Sequence, residues 1–469
     1  MKTEGNAETV SEEPLSHRIA TFLQRVRNRG VSRRVRETAK EHLLDGFANM
    51  LGGAPEAASR RVRAHVRAMG GRGEAAIIGT ALKVPCQSAA LANGVQGHVL
   101  DYDDAQRTTA PGRPLGQQTH PTTPVLAAAL ALAQKIRAGG ADLLAAYAAG
   151  LEVACRLGDA IAPDHYMDGF HPTGTLGTFG AAAACSLLLG LDRERTVWAL
   201  GIAGTLSSGL RVHRGTMAKA LNAGRAAENG VVAATLAAKG FTASAGVFED
   251  PMGFFSAACR NRYDRDLLRF GGPWFLREPG IAIKRYPCAG VMHPALDALF
   301  ALLRRYPVKP EEVSRVRIHL SPEAALPLVY DRPELGLQGK FSLPFTFAAA
   351  LIDRCVTLGQ YTDARVRDSR IQALMPRVEL VRDKGLESPD GQDAAARLEL
   401  VLADGLRYYE AASTGPAKRP GRPALEEKLH ECAAYAGMRK ERSLCKFQEE
   451  LWSLESVVSL GPWLRRLRP

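Results

Sequence analysis

Apolar positions crowd the first 275 residues at helical spacing. SRRVRETAKEHLLDGFANMLGG (32–53) reads as a helix that starts on a capping serine, Ser32, and stops at Gly52–Gly53. SAALANGVQGHVLDYDD (88–104) reads as a second helix running into acids. TPVLAAALALAQKIRAGG (123–140) and ADLLAAYAAGLEVACRLGDAI (141–161) follow, broken at Gly139–Gly140. Their apolar positions surround the helix almost completely, which predicts burial inside a bundle. TLGTFGAAAACSLLLG (175–190), DRERTVWALGIAGTLSSGL (192–210) and AGRAAENGVVAATLAAKGF (223–241) continue the pattern, with small residues suited to close packing.

The periodicity changes near residue 276. MHPALDALFALLRRY (292–306) is helical, but VSRVRIHLSP (313–322), RVELVRD (377–383) and ARLELVLADGLRYYEAAS (396–413) alternate as strands do. Asp404–Gly405 between two alternating runs predicts a two-residue hairpin turn. TGPAKRPGRPA (414–424) is a connector, and two helical stretches follow it. The expected architecture is mainly α: a large all-helical domain begun by 1–275, a smaller α+β lid over 276–412, and a return to the helical domain over 413–469.

Composition narrows the function classes. The 469 residues are 46% hydrophobic and 23% charged, ordinary for a globular chain. No uninterrupted apolar run approaches about 18 residues, so a membrane span is not expected. The polar N-terminus lacks the apolar centre of a signal peptide, so the expected location is cytoplasmic. Eight cysteines contain no C-x-x-C pair, which argues for reduced, mostly structural thiols and against a zinc ribbon or iron–sulfur motif. The net charge of +12 concentrates in arginine-rich stretches at 24–40, 59–73 and the C-terminus. Nucleic-acid motifs are absent and the arginines are not interleaved with aromatics, so these read as solvated helix faces. A small anionic substrate accounts for part of the same bias, and nucleic acid is not expected as a partner.

Four segments place titratable residues beside Pro, Gly or Thr at helix edges. They are HVLDYDD with QQTHPTTP, GFHPTGTLGTFG, MAKALNAGRAAENG and IKRYPCAGVMHP. Helix N-termini offer unpaired N–H groups and partial positive charge, a setting for a carboxylate, with lysine as counter-charge. Each residue also has a structural alternative. His171 could sit at a cavity mouth or only cap a helix. His120 could be a packing residue beside a Thr122 or Thr123 cap. Asp101, Asp103 and Asp104 could orient a histidine, hold a cation or form a solvated helix end. Lys219 and Lys284 could be surface lysines, and His293 could only cap its helix. TGTLGTFG has the spacing G-x-x-G-x-x-G without a preceding strand, which excludes a dinucleotide fingerprint.

Taken together, the segments AALANGVQGHVLDYDD, THPTTPVLAAALALA, GLEVACRLGDAI, GFHPTGTLGTFGAAAA, AGRAAENGVVAATLAAKGFT, IKRYPCAGVMHPALDA and KFSLPFTFAAALIDRCVTL resemble the MmgE/PrpD family in order, over most of residues 40–360. The resemblance implies a helical domain with an α+β lid, usually a homodimer, and lyase chemistry on small di- and tricarboxylates without a metal or other cofactor. Dehydration and decarboxylation are the leading expectations, with isomerisation or epimerisation as the alternative. Segment by segment, it implies catalytic roles for Asp101, His120, His171, Lys219 and Lys284. His120 and His171 would be the acid/base groups, the two lysines carboxylate clamps, and Asp101 a group orienting a histidine. Substrate contacts are expected from Thr173, Tyr330, Arg113 and His293. Departures are Ala105 where relatives often carry threonine, Asn222 where many carry histidine, and a long 105–119 segment bringing Arg107 and Arg113.

Overall fold

The computed structural model describes residues 13–106, 119–386, 395–413 and 420–468. Arg107 and Arg113 lie outside the described residues. The chain is mainly α-helical, with its principal sheet in the C-terminal half.

Four helices form the centre of the bundle: Cys86–His98, Thr122–Ile136, Pro172–Leu188 and Met217–Ala238, packed against one another. Every residue from Val125 to Ala133 is fully buried, as its unbroken apolar surface requires. Small residues let these helices touch. A Cβ on Gly94 would stand 2.7 Å from the Cα of Gly224. That contact brings the Met217–Ala238 helix, with Lys219 and Asn222, against the helix ending at His98.

Helix ends follow local chemistry in part. Ser32 caps its helix by accepting from the Val35 amide, and Gly53 ends it. Neither Thr122 nor Thr123 caps the Thr122–Ile136 helix; Pro121 is its N-cap residue and makes no side-chain cap bond. The Asp104 carboxylate takes that place, accepting from the Thr122 amide at 3.3 Å. His171 occupies the N-cap position of Pro172–Leu188, but its side chain does not cap.

A second core lies under a four-stranded sheet in the order Val378–Arg382, Val313–Leu320, Ala395–Leu402, Arg407–Ser413. The first pair is parallel and the others antiparallel. Helices His293–Arg305 and Leu343–Asp353 cover it. The hairpin differs from the two-residue turn expected at Asp404–Gly405. The Leu402 amide donates to the Leu406 carbonyl at 2.9 Å, leaving the three residues 403–405 as the loop. Gly405 takes φ +90°, where a side chain would be strained, and this supplies the left-handed position of a three-residue hairpin.

The last helices, beginning at Arg422, bury Leu425, Leu429, Phe447 and Trp463 in the helical core, with Phe447 and Trp463 within 5.2 and 5.1 Å of Phe47 between ring centroids. A short ladder pairs Ala105–Gln106 with Ile281–Ala282 and ties the acidic stretch to the strand leading into Lys284.

Candidate active site

The acidic stretch leaves the Cys86–His98 helix and turns sharply. Asp101 adopts φ 51°, a left-handed conformation that aspartate tolerates better than most residues. Three lysines hold this turn. Lys340 Nζ donates to the Leu100 carbonyl at 2.7 Å, Lys284 Nζ to the Asp101 carbonyl at 2.9 Å, and Lys428 Nζ to the Tyr102 carbonyl at 2.7 Å. Three consecutive carbonyls thus accept from ammonium groups of three distant segments.

The Asp101 carboxylate meets two of the expected lysines, with Lys219 Nζ 2.6 Å from Oδ1 and Lys284 Nζ 3.2 Å from Oδ2. Burial would raise the Asp101 pKa, but Lys219 and Lys284 hold it well below the usual carboxylate range. Burial lowers the Lys219 pKa, helped by Lys284 and opposed by Asp101. Neither lysine is a free surface cation, and Asp101 pairs with ammonium groups where an orienting contact to a histidine was expected.

Three imidazoles stand beside this ion cluster. His98 lies between the other two, with ring centroids 4.9 Å from His120 and 5.5 Å from His171. Asp103 and Asp104 orient histidines. His98 Nδ1 is 2.8 Å from Asp103 Oδ2, which also accepts from Thr123, and His42 Nδ1 is 3.0 Å from Asp104 Oδ2. His120 Nδ1 faces the Asp104 carbonyl at 2.7 Å, and its amide donates to Thr173 Oγ1 at 3.0 Å. Burial lowers the pKa of all three, His120 to about 3 and His98 and His171 well below the ordinary value, so all are neutral at pH 7.

These partners fix proton positions. A carbonyl and an ionised carboxylate only accept, so Nδ1 carries the proton in His120 and in His98. Each therefore presents Nε2 as a lone pair. His98 Nε2 is buried without a partner. His98, Asp103 and His120 offer ligand atoms within 4.8 Å of one another. His98 is hydrogen-bonded to Asp103 and His120 to the Asp104 carbonyl, so the two neighbouring imidazoles are held with their Nε2 atoms free of those bonds.

A narrow cavity is lined by His98, Asp101, Lys219, Lys340, Gly215 and Phe341, among others. Helical-core segments form one wall, and Leu337, Lys340 and Phe341 form the other. Tyr330 closes its edge: its hydroxyl donates to the Arg214 carbonyl at 2.8 Å. A Cβ on Gly215 would stand 2.5 Å from the Tyr330 ring.

The structure thus gathers Asp101, His120, His171, Lys219 and Lys284. Tyr330 lies at the cavity edge. Thr173 is fully buried and uses its hydroxyl to hold the His120 amide, a positioning contact where a substrate contact was expected. His293 stacks edge-on against Tyr286 at 5.2 Å between centroids and has a buried, unpartnered Nε2. Burial, with Lys284 and Arg285 nearby, lowers its pKa to about 3.

Sequence reasoning did not single out His98 or Lys340. His98 sits three residues before Asp101 in the same HVLDYDD stretch, a closeness that could have flagged it. Lys340 opens the KFSLPF segment. Its pKa falls to about 8, through burial foremost, with Asp101 opposing. Among the described residues, no helix is long and apolar enough to cross a membrane.

The sequence matches two family domains in order: the MmgE/PrpD N-terminal domain over residues 17–265 and the MmgE/PrpD C-terminal domain over residues 286–452. The chain belongs to the MmgE/PrpD family. It is 27% identical to a human cis-aconitate decarboxylase, over 83% of this chain and 81% of that protein. A cis-aconitate decarboxylase of Aspergillus terreus is 26% identical over 99% of this chain and 98% of its own length. The cis-aconitate decarboxylase-like protein oryM of Aspergillus oryzae is 27% identical over 91% of this chain and 90% of its own.

Proposed function

We propose that the chain is a lyase that decarboxylates a small tricarboxylate with the chemistry of cis-aconitate. The carrying observation is the convergence of Lys219, Lys284 and Lys340 around Asp101, beside the imidazole of His98 in the cavity wall and those of His120 and His171 next to it. The names of the relatives support the substrate class, and the geometry supports the roles.

Lys219 and Lys340 face the cavity and bind substrate carboxylates, with Lys284 holding Asp101 beside them. As the C–C bond to one carboxylate breaks, carbon dioxide leaves. The electron pair delocalises toward a neighbouring carboxylate as an enediolate-like anion, which the ammonium groups stabilise. One proton must then reach carbon. His120 is neutral in the free enzyme, but bound carboxylates favour the imidazolium. Its open Nε2 takes up the proton and delivers it. Purified enzyme supplied with cis-aconitate should release carbon dioxide and one decarboxylated dicarboxylate, measured by mass spectrometry. No turnover of cis-aconitate would overturn this reading.

A second reading is epimerisation. It is favoured by the two neighbouring lone pairs of His98 and His120, which can take and return a proton. Deuterium incorporation from solvent without net substrate loss would select it over the lyase.

Residues 276–412 act as the lid and 413–469 as part of the helical domain. The exposed apolar side chains Leu210, Val212, Met217, Leu221 and Val329, around the Gly215–Tyr330 edge, support assembly as a homodimer. Light scattering of the purified chain tests that assembly. All eight cysteines are unpaired, which suits a reducing cytoplasm.

A further inference from the structure

His171 lies 5.5 Å, between ring centroids, from the cavity-lining His98, and a neighbour sets its tautomer. Its backbone is fixed on both sides: its amide donates to the Gly209 carbonyl at 3.0 Å, and its carbonyl accepts from the Gly174 amide at 2.8 Å. Asn222, from the Met217–Ala238 helix, reaches this corner. Its Nδ2 lies 3.2 Å from the Leu210 carbonyl and 3.1 Å from His171 Nδ1.

The Leu210 carbonyl can only accept, so the Asn222 atom facing it is the amide nitrogen, not the oxygen. The same nitrogen faces His171 Nδ1. That ring nitrogen must therefore accept, and the proton of a neutral His171 resides on Nε2. His171 is the opposite tautomer to His98 and His120. Protonating it would put a proton on Nδ1, against the Asn222 N–H, turning a hydrogen bond into two opposed donors.

Resting on the lyase reading above, we propose that Asn222 is a positioning residue that fixes His171 as the Nε2–H tautomer, making His171 a neutral hydrogen-bond donor to the anion formed as the carboxylate leaves. The proton delivered to carbon then comes from His120, whose open nitrogen has no such block, and not from His171. No bond to His171 is made or broken, and the imidazole keeps its proton throughout. A neutral imidazole suits this role because its N–H is not surrendered to the developing oxyanion.

The surrounding charges agree. Burial, then His98, Lys219, His120 and Arg214, all disfavour the imidazolium of His171. These groups come from the Cys86–His98 helix, the Met217–Ala238 helix, the turn just before the Thr122–Ile136 helix and the 207–216 loop. Among the causes resolved for this imidazole, no carboxylate pulls the other way.

The test is nitrogen-15 NMR of histidine-labelled full-length enzyme, with His171 assigned by its loss in His171→Gln. The free wild-type enzyme should show the Nε2–H tautomer, without titration from pH 6 to 8. Asn222→Asp replaces the donor by an acceptor. It should move the proton to Nδ1, introduce a titration above pH 6 and lower kcat on cis-aconitate about 10²–10³-fold, the size of losing one oxyanion donor. A wild-type Nδ1–H or imidazolium resonance would overturn the proposal. So would an Asn222→Asp enzyme that loses rate while the tautomer stays unchanged, because Asn222 would then act only as packing. The tautomer is read without substrate. A wild-type enzyme inert toward cis-aconitate but carrying the Nε2–H signal would therefore sink the substrate reading alone.

Discussion

Lys219 Nζ lies 2.6 Å from Asp101 Oδ1, an ion pair joining residues 118 positions apart. Asp101 also pairs with Lys284, so one carboxylate serves both cations. Removing it strands two buried ammonium groups. Asp101→Ala should cost about 3–5 kcal/mol of stability, the scale of breaking a buried pair from one side. Added tricarboxylate should raise the Tm of the variant more than that of the wild type, read by thermal unfolding. Equal shifts would show that substrate and Asp101 do not share these lysines.

His98 touches the cavity, is oriented by Asp103, and offers an unpartnered Nε2. His98→Gln should lower kcat about 10²-fold or more, in the range for an acid/base group. Asp103→Asn should do the same by allowing the wrong tautomer, with a smaller effect on KM. Steady-state kinetics at neutral pH decide it, and near-normal turnover in both variants would restrict His98 to packing.

Lys340 should set the alkaline limb of activity. Its pKa of about 8 means that the ammonium loses its proton, and with it its attraction for carboxylates, as pH rises through that value. The expected outcome is a fall in kcat/KM above about pH 8. The limb should be missing from the reduced activity of Lys340→Met. A flat wild-type profile to pH 9.5 would contradict the assignment.

Acid should unfold this protein through its buried imidazoles. His120 and His293 have pKa values of about 3 and His165 about 4, all below the ordinary 6.5. Below pH 6.5 the unfolded chain takes up protons that the fold refuses. The stability they provide is therefore complete above that pH and lost as pH falls toward 3–4. Each contributes about 1.4 kcal/mol per pH unit in that window. Asp45, raised to about 6 chiefly by burial, opposes them over part of it. Urea midpoints at pH 7.5, 6 and 5 should fall in that order, and His165→Gln should flatten the slope.

Gly215 combines φ +73° with the Tyr330 ring against its face. Gly215→Ala should displace Tyr330, weaken its bond to the Arg214 carbonyl and raise KM several-fold with a smaller change in kcat. Unchanged KM would mean that the Tyr330 edge does not close on substrate.

The mainly helical class could be read from the chain because burial on every side of a helix leaves an unbroken apolar sequence, as in Val125–Ala133. The strands showed themselves by alternation, and the helix boundaries by Ser32 and Gly53. The hairpin was misjudged by one residue because Asp-Gly suits more than one loop, and the strand register chooses between them. The segments around His120, His171, Lys219 and Lys284 were visible as histidine or lysine beside helix-edge residues.

Roles within the cluster depended on distances across the fold. Spacing along the chain cannot show that Asp101 meets lysines rather than a histidine, that Thr173 is spent on the His120 amide, or that Lys340 crosses to the Leu100 carbonyl. Nor can it place a proton on a ring nitrogen. That choice belongs to whichever donor or acceptor lies within about 3 Å, and for His120 and His171 those partners, the Asp104 carbonyl and Asn222, come from other segments that only the packing of the helices brings close.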